Sequence, residues 1–140
     1  MKSATLLISL LLISAACFAQ QPKKIDNPRW KQIVSIKFHE GKVDRAMTII
    51  KDYFEPSAKK ANTSTPEMAL RMATGKWDLV LVWNMKGGVE ELNWEMSAED
   101  VAWMKALGEL AGGPEKGKAI LDEYLSLIRE SNSELARIAL

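Results

Sequence analysis

Beyond residue 17 the chain has no cysteine, and in all of its 140 residues it has a single histidine. The missing thiols exclude a disulfide framework and a cysteine nucleophile. With one imidazole and no thiolate there is also no zinc-type ligand cluster, and no metal or other cofactor is expected. No apolar run reaches the roughly 18 residues that a membrane-spanning helix requires. An excess of charge is lacking too: without residues 1–19, which contain Lys2, eighteen basic side chains face eighteen acidic ones. A neutral chain has no basic footprint for nucleic acid and no electrostatic grip on an anionic membrane. Gly-x-Ser-x-Gly elbows, phosphate-binding loops and dinucleotide fingerprints are absent as well.

The N-terminus is where the sequence speaks most directly. Lys2 precedes an uncharged apolar run of thirteen residues, 4–16, and Cys17-Phe18-Ala19 puts small residues at the two positions a signal peptidase reads. Positive start, short apolar run and small-x-small site make a secretory signal, so residues 1–19 are expected to be cleaved after Ala19. The mature chain would then be secreted or periplasmic. The alternative is a lipoprotein anchored at Cys17; Ala15 and Ala16 fit it, but Ser14 stands where a leucine-like residue belongs. Residues 20–29 (QQPKKIDNPR), polar and with two prolines, read as a flexible lead-in. Residues 30–140 remain for one domain.

Within that domain the hydrophobic period changes repeatedly. Residues 33–39 alternate, with Val34, Ile36 and Phe38 on one face and Ser35, Lys37 and His39 on the other, which predicts a strand. Val43, Ala46, Met47, Ile50, Tyr53, Phe54, Ala58 and Ala61 then recur at helical steps, interrupted by Pro56, which should kink or end the helix near Glu55. Residues 67–83 read as a hairpin turning at Gly75. Its first arm (Met68, Leu70, Met72) is readable as strand or helix, with strand favoured by a neighbour to pair with. Its second arm is apolar on both faces, with Trp77, Leu79, Leu81 and Trp83 on one and Val80 and Val82 on the other.

Ser97 and Asp100 form a capping-box pattern for a helix carrying Val101, Met104, Leu107 and Ala111. Gly112-Gly113-Pro114 stops that helix and starts another, carrying Ile120, Leu121, Tyr124, Leu127 and Ile128. Ser131-Asn132-Ser133 is expected to end it, leaving 135–140 as a short closing strand. The resulting order β-α-β-β-α-α-β implies an α+β fold of the ferredoxin-like kind, an antiparallel sheet with helices on one face. Because Val80 and Val82 face away from the helices, a second copy of the sheet is the expected cover, giving a homodimer.

In this element order and sheet amphipathicity, over residues 32–140, the chain resembles the dimeric α+β barrel superfamily. The stretches that carry the resemblance are Thr74-Gly75-Lys76-Trp77-Asp78 running into Val82-Trp83-Asn84-Met85-Lys86-Gly87-Gly88, and Phe54-Glu55-Pro56 ahead of Lys59-Lys60-Ala61. The resemblance implies sheet-to-sheet pairing around a central cavity. It leaves activity open, since its members include cofactor-free monooxygenases, haem-degrading enzymes and proteins of no known activity. Haem-degrading members rely on a histidine placed on a helix, and no predicted helix here has one.

Two readings of different class follow. In the first, the protein is a secreted barrel that is non-catalytic or binds a small apolar or aromatic ligand, with Asp78, Trp83 and Asn84 as ligand-binding candidates. In the second, it is a cofactor-independent oxygenase or isomerase acting on a small aromatic or carbonyl compound. His39 would then remove a proton while Lys37 or Arg71 stabilised the oxyanion. The five tryptophans (Trp30, Trp77, Trp83, Trp94, Trp103) are read as core and interface packing in preference to a cavity lining. The acidic run Glu90, Glu91, Glu95, Glu99 and Asp100 is read as a solvated loop and helix start.

Overall fold

The computed structural model describes residues 22–139; the expected signal sequence, its expected cleavage site and Cys17 lie outside the described residues. The alternation around residue 33 extends further than the sequence pattern, and β1 spans Trp30–Phe38. Its even-numbered side chains enter the core: Ile36 and Phe38 are buried, with Val34 packed against them.

The helical stretch that follows is continuous but not uniform. Helix α1 (Val43–Ile49) passes into a π-helical turn (Ile50–Phe54) and then into α2 (Glu55–Ala61). Of the two outcomes expected at Pro56, a stop does not occur, and the disturbance takes the form of a π turn that ends just before Glu55. The Glu55 N–H donates to the Ile50 carbonyl, five residues back, so the turn is widened just ahead of the proline ring that would strike a regular one. The Trp103 indole N–H donates to the Phe54 carbonyl at 3.2 Å, giving this turn a partner from another helix. Ile49, which the sequence reading left off the apolar stripe, is fully buried. Asn62 closes α2 in the left-handed region at φ 52°.

The ambiguous arm is a strand. β2 (Met68–Arg71) pairs antiparallel with β3 (Leu79–Met85), and β3 pairs antiparallel with β1. After a 3₁₀ segment (Gly88–Asn93), α3 (Ala98–Ala111) opens on the expected capping box. The Asp100 N–H donates to Ser97 Oγ at 3.1 Å, and the Ser97 N–H donates to Asp100 Oδ2 at 2.8 Å. Helix α4 (Pro114–Leu127) follows Gly112 and Gly113, both at positive φ.

The C-terminal reading needs correction. Helix α4 stops at Leu127, and β4 runs Ile128–Arg137, so Ser131-Asn132-Ser133 lies in mid-strand and does not end a helix. The sequence misleads there because β4 is an edge strand with almost every side chain exposed, so no apolar alternation marks it. Of the stripe expected on α3, Leu107 is fully buried, whereas Val101 is exposed; Ala106 and Gly108 are buried beside Leu107.

The sheet order is β2-β3-β1-β4, all antiparallel. The core lies between one sheet face and the helices, where Ile36, Phe38 and Leu79 meet Ala46 and Ile49 of α1 and Tyr124 and Leu127 of α4. Helices α3 and α4 meet backbone to backbone at Gly108 and Gly117. A Cβ built on Gly117 would stand 2.7 Å from the Gly108 Cα.

Candidate functional site

Strand pairing fixes what the second sheet face displays. Residues directly opposite across a ladder point the same way, so two cross-strand rows can be read from the register. One row is Met68–Val82–Ile33–Glu134 and the other is Leu70–Val80–Ser35–Asn132. Both lie on the face away from the helices, since Leu79 and Ile36 on the alternate positions are in the core. Each row is apolar or small from β2 through β1 and turns polar at β4. Val80, Val82 and Ile33 are only half-buried, and Met68 and Leu70 are 51% and 44% exposed.

Ion pairs bracket the two rows. At one end Lys31 pairs with Glu67, and its ammonium also reaches Asn84 Oδ1 at 3.3 Å. At the other end Lys37 Nζ donates to Asp78 Oδ1 at 2.8 Å, while Asp78 Oδ2 accepts the Phe38 N–H at 2.9 Å. The Lys37 ammonium, helped by the Phe38 N–H, holds the Asp78 carboxyl below the usual carboxylate range despite partial burial. Beyond it Lys76 pairs with Glu130 and lies 4.4 Å over the Trp77 ring.

The structure brings together some of the residues singled out from the sequence and separates others. Lys37 and Asp78 form a pair on the helix-free face, and Asn84 sits on that face bound to Lys31. Arg71 does not join them. It stands opposite Leu79, hence on the helix side of the sheet, and its guanidinium donates to Asp44 of α1 at 2.8 Å. Trp83 stands opposite Gln32, also on the helix side, and is half-buried. His39 lies just past β1 and is exposed. Its backbone N–H donates to the Leu127 carbonyl at 2.9 Å, and its imidazole has no hydrogen-bond partner among the described residues. The proposed base therefore faces solvent, and the two proposed oxyanion cations are on opposite sides of the sheet or already paired. No group of three or more His, Cys, Asp or Glu among the described residues could hold a metal ion.

Two features escaped the sequence reading. Lys31 and Ile33 share the alternation of Ser35 and Lys37, and carrying that pattern back to Trp30 would have placed them on the same face. The aromatic cluster beneath the π turn had no local signal, since its members are distant in sequence. Phe54 stacks edge-on to Trp103 (5.1 Å) and Tyr124 (4.9 Å), and Tyr124 to Phe38 (6.0 Å). Burial pushes the Tyr124 phenol up to about 12. Packing of this kind accounts for Trp103. It does not account for Trp94, which is 69% exposed.

No family model matches the chain, and no curated protein matches it. Solved structures do. A NIPSNAP family protein of unknown function from Agrobacterium tumefaciens superposes with a TM-score of 0.51 at 13% identity, over 84% of this chain and 95% of that one. This chain has the ferredoxin-like α+β fold. An uncharacterised NIPSNAP domain protein from Burkholderia xenovorans gives 0.48 at 14% identity, over 79% and 94% of the two chains. A candidate antibiotic biosynthesis monooxygenase from Nitrosomonas europaea gives 0.44 at 11%, over 79% and 99%. At 13% identity the first of these likenesses speaks for the fold alone.

Proposed function

We propose that the mature protein is an exported, non-catalytic α+β barrel that pairs with a second copy through its helix-free sheet face and holds a small apolar or aromatic ligand there. One observation carries this reading: the rows Met68–Val82–Ile33 and Leu70–Val80 present exposed or half-buried apolar side chains on a face that no described helix covers. An open apolar sheet face is costly in water and marks an interaction surface. The ion pairs Lys31–Glu67 and Lys37–Asp78 at its ends would form the polar rim of such an interface.

The enzymatic alternative has less support. A general base needs a neighbour to orient it and an electrophile-stabilising group within reach. His39 has no such partner among the described residues, and Arg71 is held by Asp44 on the other face.

Light scattering on residues 20–140 tests the pairing, with a dimer expected at micromolar concentration. Val82→Arg places an unpaired charge in the interface, at a cost of about 3–5 kcal/mol or two to four powers of ten in Kd, so this variant is expected to be monomeric. A wild-type chain that stays monomeric at that concentration refutes the pairing. A thermal-shift screen of small aromatics and lipids tests the ligand. A true ligand at a hundred times its Kd adds about 2.7 kcal/mol of stability, and its shift should vanish in Val82→Arg.

A further inference from the structure

Segment 88–101, which links β3 to the first turn of α3, exposes large apolar side chains that packing does not use. Leu92, Trp94 and Met96 are 52%, 69% and 60% exposed, and Val101 is exposed beside them in sequence. Trp94 alone leaves on the order of 150 Å² of surface open. The same segment holds five carboxylates (Glu90, Glu91, Glu95, Glu99, Asp100) and no basic residue, in a chain whose mature charge is balanced. Four of them bind neutral groups. Glu90 accepts from Asn93 Nδ2, Glu91 from the Gly87 N–H, Glu99 from the Ser64 N–H and Asp100 from Ser97. None of the five is ion-paired to a lysine or arginine among the described residues. The surface is thus an apolar lip among carboxylates, shaped for an apolar side chain flanked by cations.

The chain itself contains such a segment. Residues 22–29 set Lys23, Lys24 and Arg29 around an exposed Ile25, with one carboxylate, Asp26, and every residue of the stretch is exposed. It does not lie along its own lip. The Arg29 carbonyl accepts the Ile138 N–H at 3.0 Å, and although Gly88 at the start of the lip stands beside Trp30, Ile25 is 55% exposed and Trp94 and Met96 remain open, so the two do not cover one another within one chain.

We propose that the lead-in of one copy docks on the 88–101 lip of a second copy, Ile25 against Trp94 and Met96, with Lys23 and Lys24 among the carboxylates. The aromatic side chain is the anchor, and opposite charges set register and speed encounter. This contact uses none of the residues of the sheet-face pairing and does not rest on it.

Because residues 20–140 contain no cysteine, disulfide trapping reads the contact directly. Asp26→Cys and Asn93→Cys single variants of the mature chain, which keep Ile25 and Trp94 and sit beside them at exposed positions, are mixed in a glutathione redox buffer, with Leu125→Cys, an exposed site on α4, as control partner. The 26–93 cross-link between chains is expected to form at least about tenfold faster than the 26–125 one. It should slow in 1 M salt, where screening acts within about 3 Å, and disappear in a Lys23→Glu/Lys24→Glu background. A rate equal to the control overturns the proposal. So does a double variant, Asp26→Cys/Asn93→Cys, that closes within a single chain at high dilution. The same trapping in Val82→Arg separates the two contacts: a surviving cross-link there supports this one whatever happens to the sheet-face dimer, and a lost one ties the two together and overturns their independence.

Discussion

Replacing Gly117 by alanine sets two effects of known size against each other. Alanine is the better helix former by about 1 kcal/mol, so in an isolated α4 the change stabilises. In the folded chain the added Cβ would lie 2.7 Å from Gly108 Cα, 2.8 Å from Gly108 N and 3.1 Å from the Leu107 carbonyl carbon. Carbon atoms rest comfortably at about 3.5–4.0 Å, so the helices must part by nearly an ångström. All three obstructing atoms are backbone, and no side-chain rotation relieves them. Overpacking of this kind costs about 1–3 kcal/mol, occasionally more, and here the upper part of that range applies. The net expectation is a loss of about 1–2 kcal/mol, or a Tm lower by roughly 4–8 °C for a domain of this size. The shift also moves α4, and with it Tyr124, which packs on Phe38 and Phe54. Differential scanning calorimetry with matched near-ultraviolet spectra reads both effects. A variant as stable as the parent, or more so, would mean that helix propensity wins and that the helices are not held at contact distance.

Asp78→Asn is expected to destabilise at neutral pH and to flatten the acid limb of the stability profile. A carboxyl held below its unfolded value contributes stability that is present above about pH 4 and is lost as pH falls through the lower, folded value; urea titrations at several pH values compare the two proteins. Tyr124 works in the opposite sense. Its phenol, raised to about 12 by burial, supports the fold below the unfolded value near 10 and loses that contribution as pH climbs toward 12. Ultraviolet absorbance titration should therefore show a late phenolate step that is absent in Tyr124→Phe, and an unchanged titration in that variant would contradict the assignment.

The sequence by itself determined the elements whose signals are local. The alternation Val34, Ile36, Phe38 marked a strand and its core face. Ser97 and Asp100 marked the start of α3, and Gly112-Gly113-Pro114 separated two helices, because caps and turns are satisfied by atoms a few residues away. The two-sided apolarity of β3 was enough to expect a sheet with one uncovered face. Tertiary structure decided what depends on distant partners. Pro56 looks like a helix stop to any local rule, yet the widened turn and the Trp103 bond to the Phe54 carbonyl let the helix run through it.

β4 has no alternation of its own and is a strand because β1 supplies its hydrogen bonds. Arg71 and Lys37 look equivalent along the chain, but pairing register sends one to Asp44 on the helix side and the other to Asp78 on the open face. His39 is exposed because no described element folds over the end of β1 to enclose it. Side-chain type and short-range spacing are properties of the chain, whereas a site requires groups far apart in sequence to meet on one face. Only the strand register, through its period of two, settles which of them do.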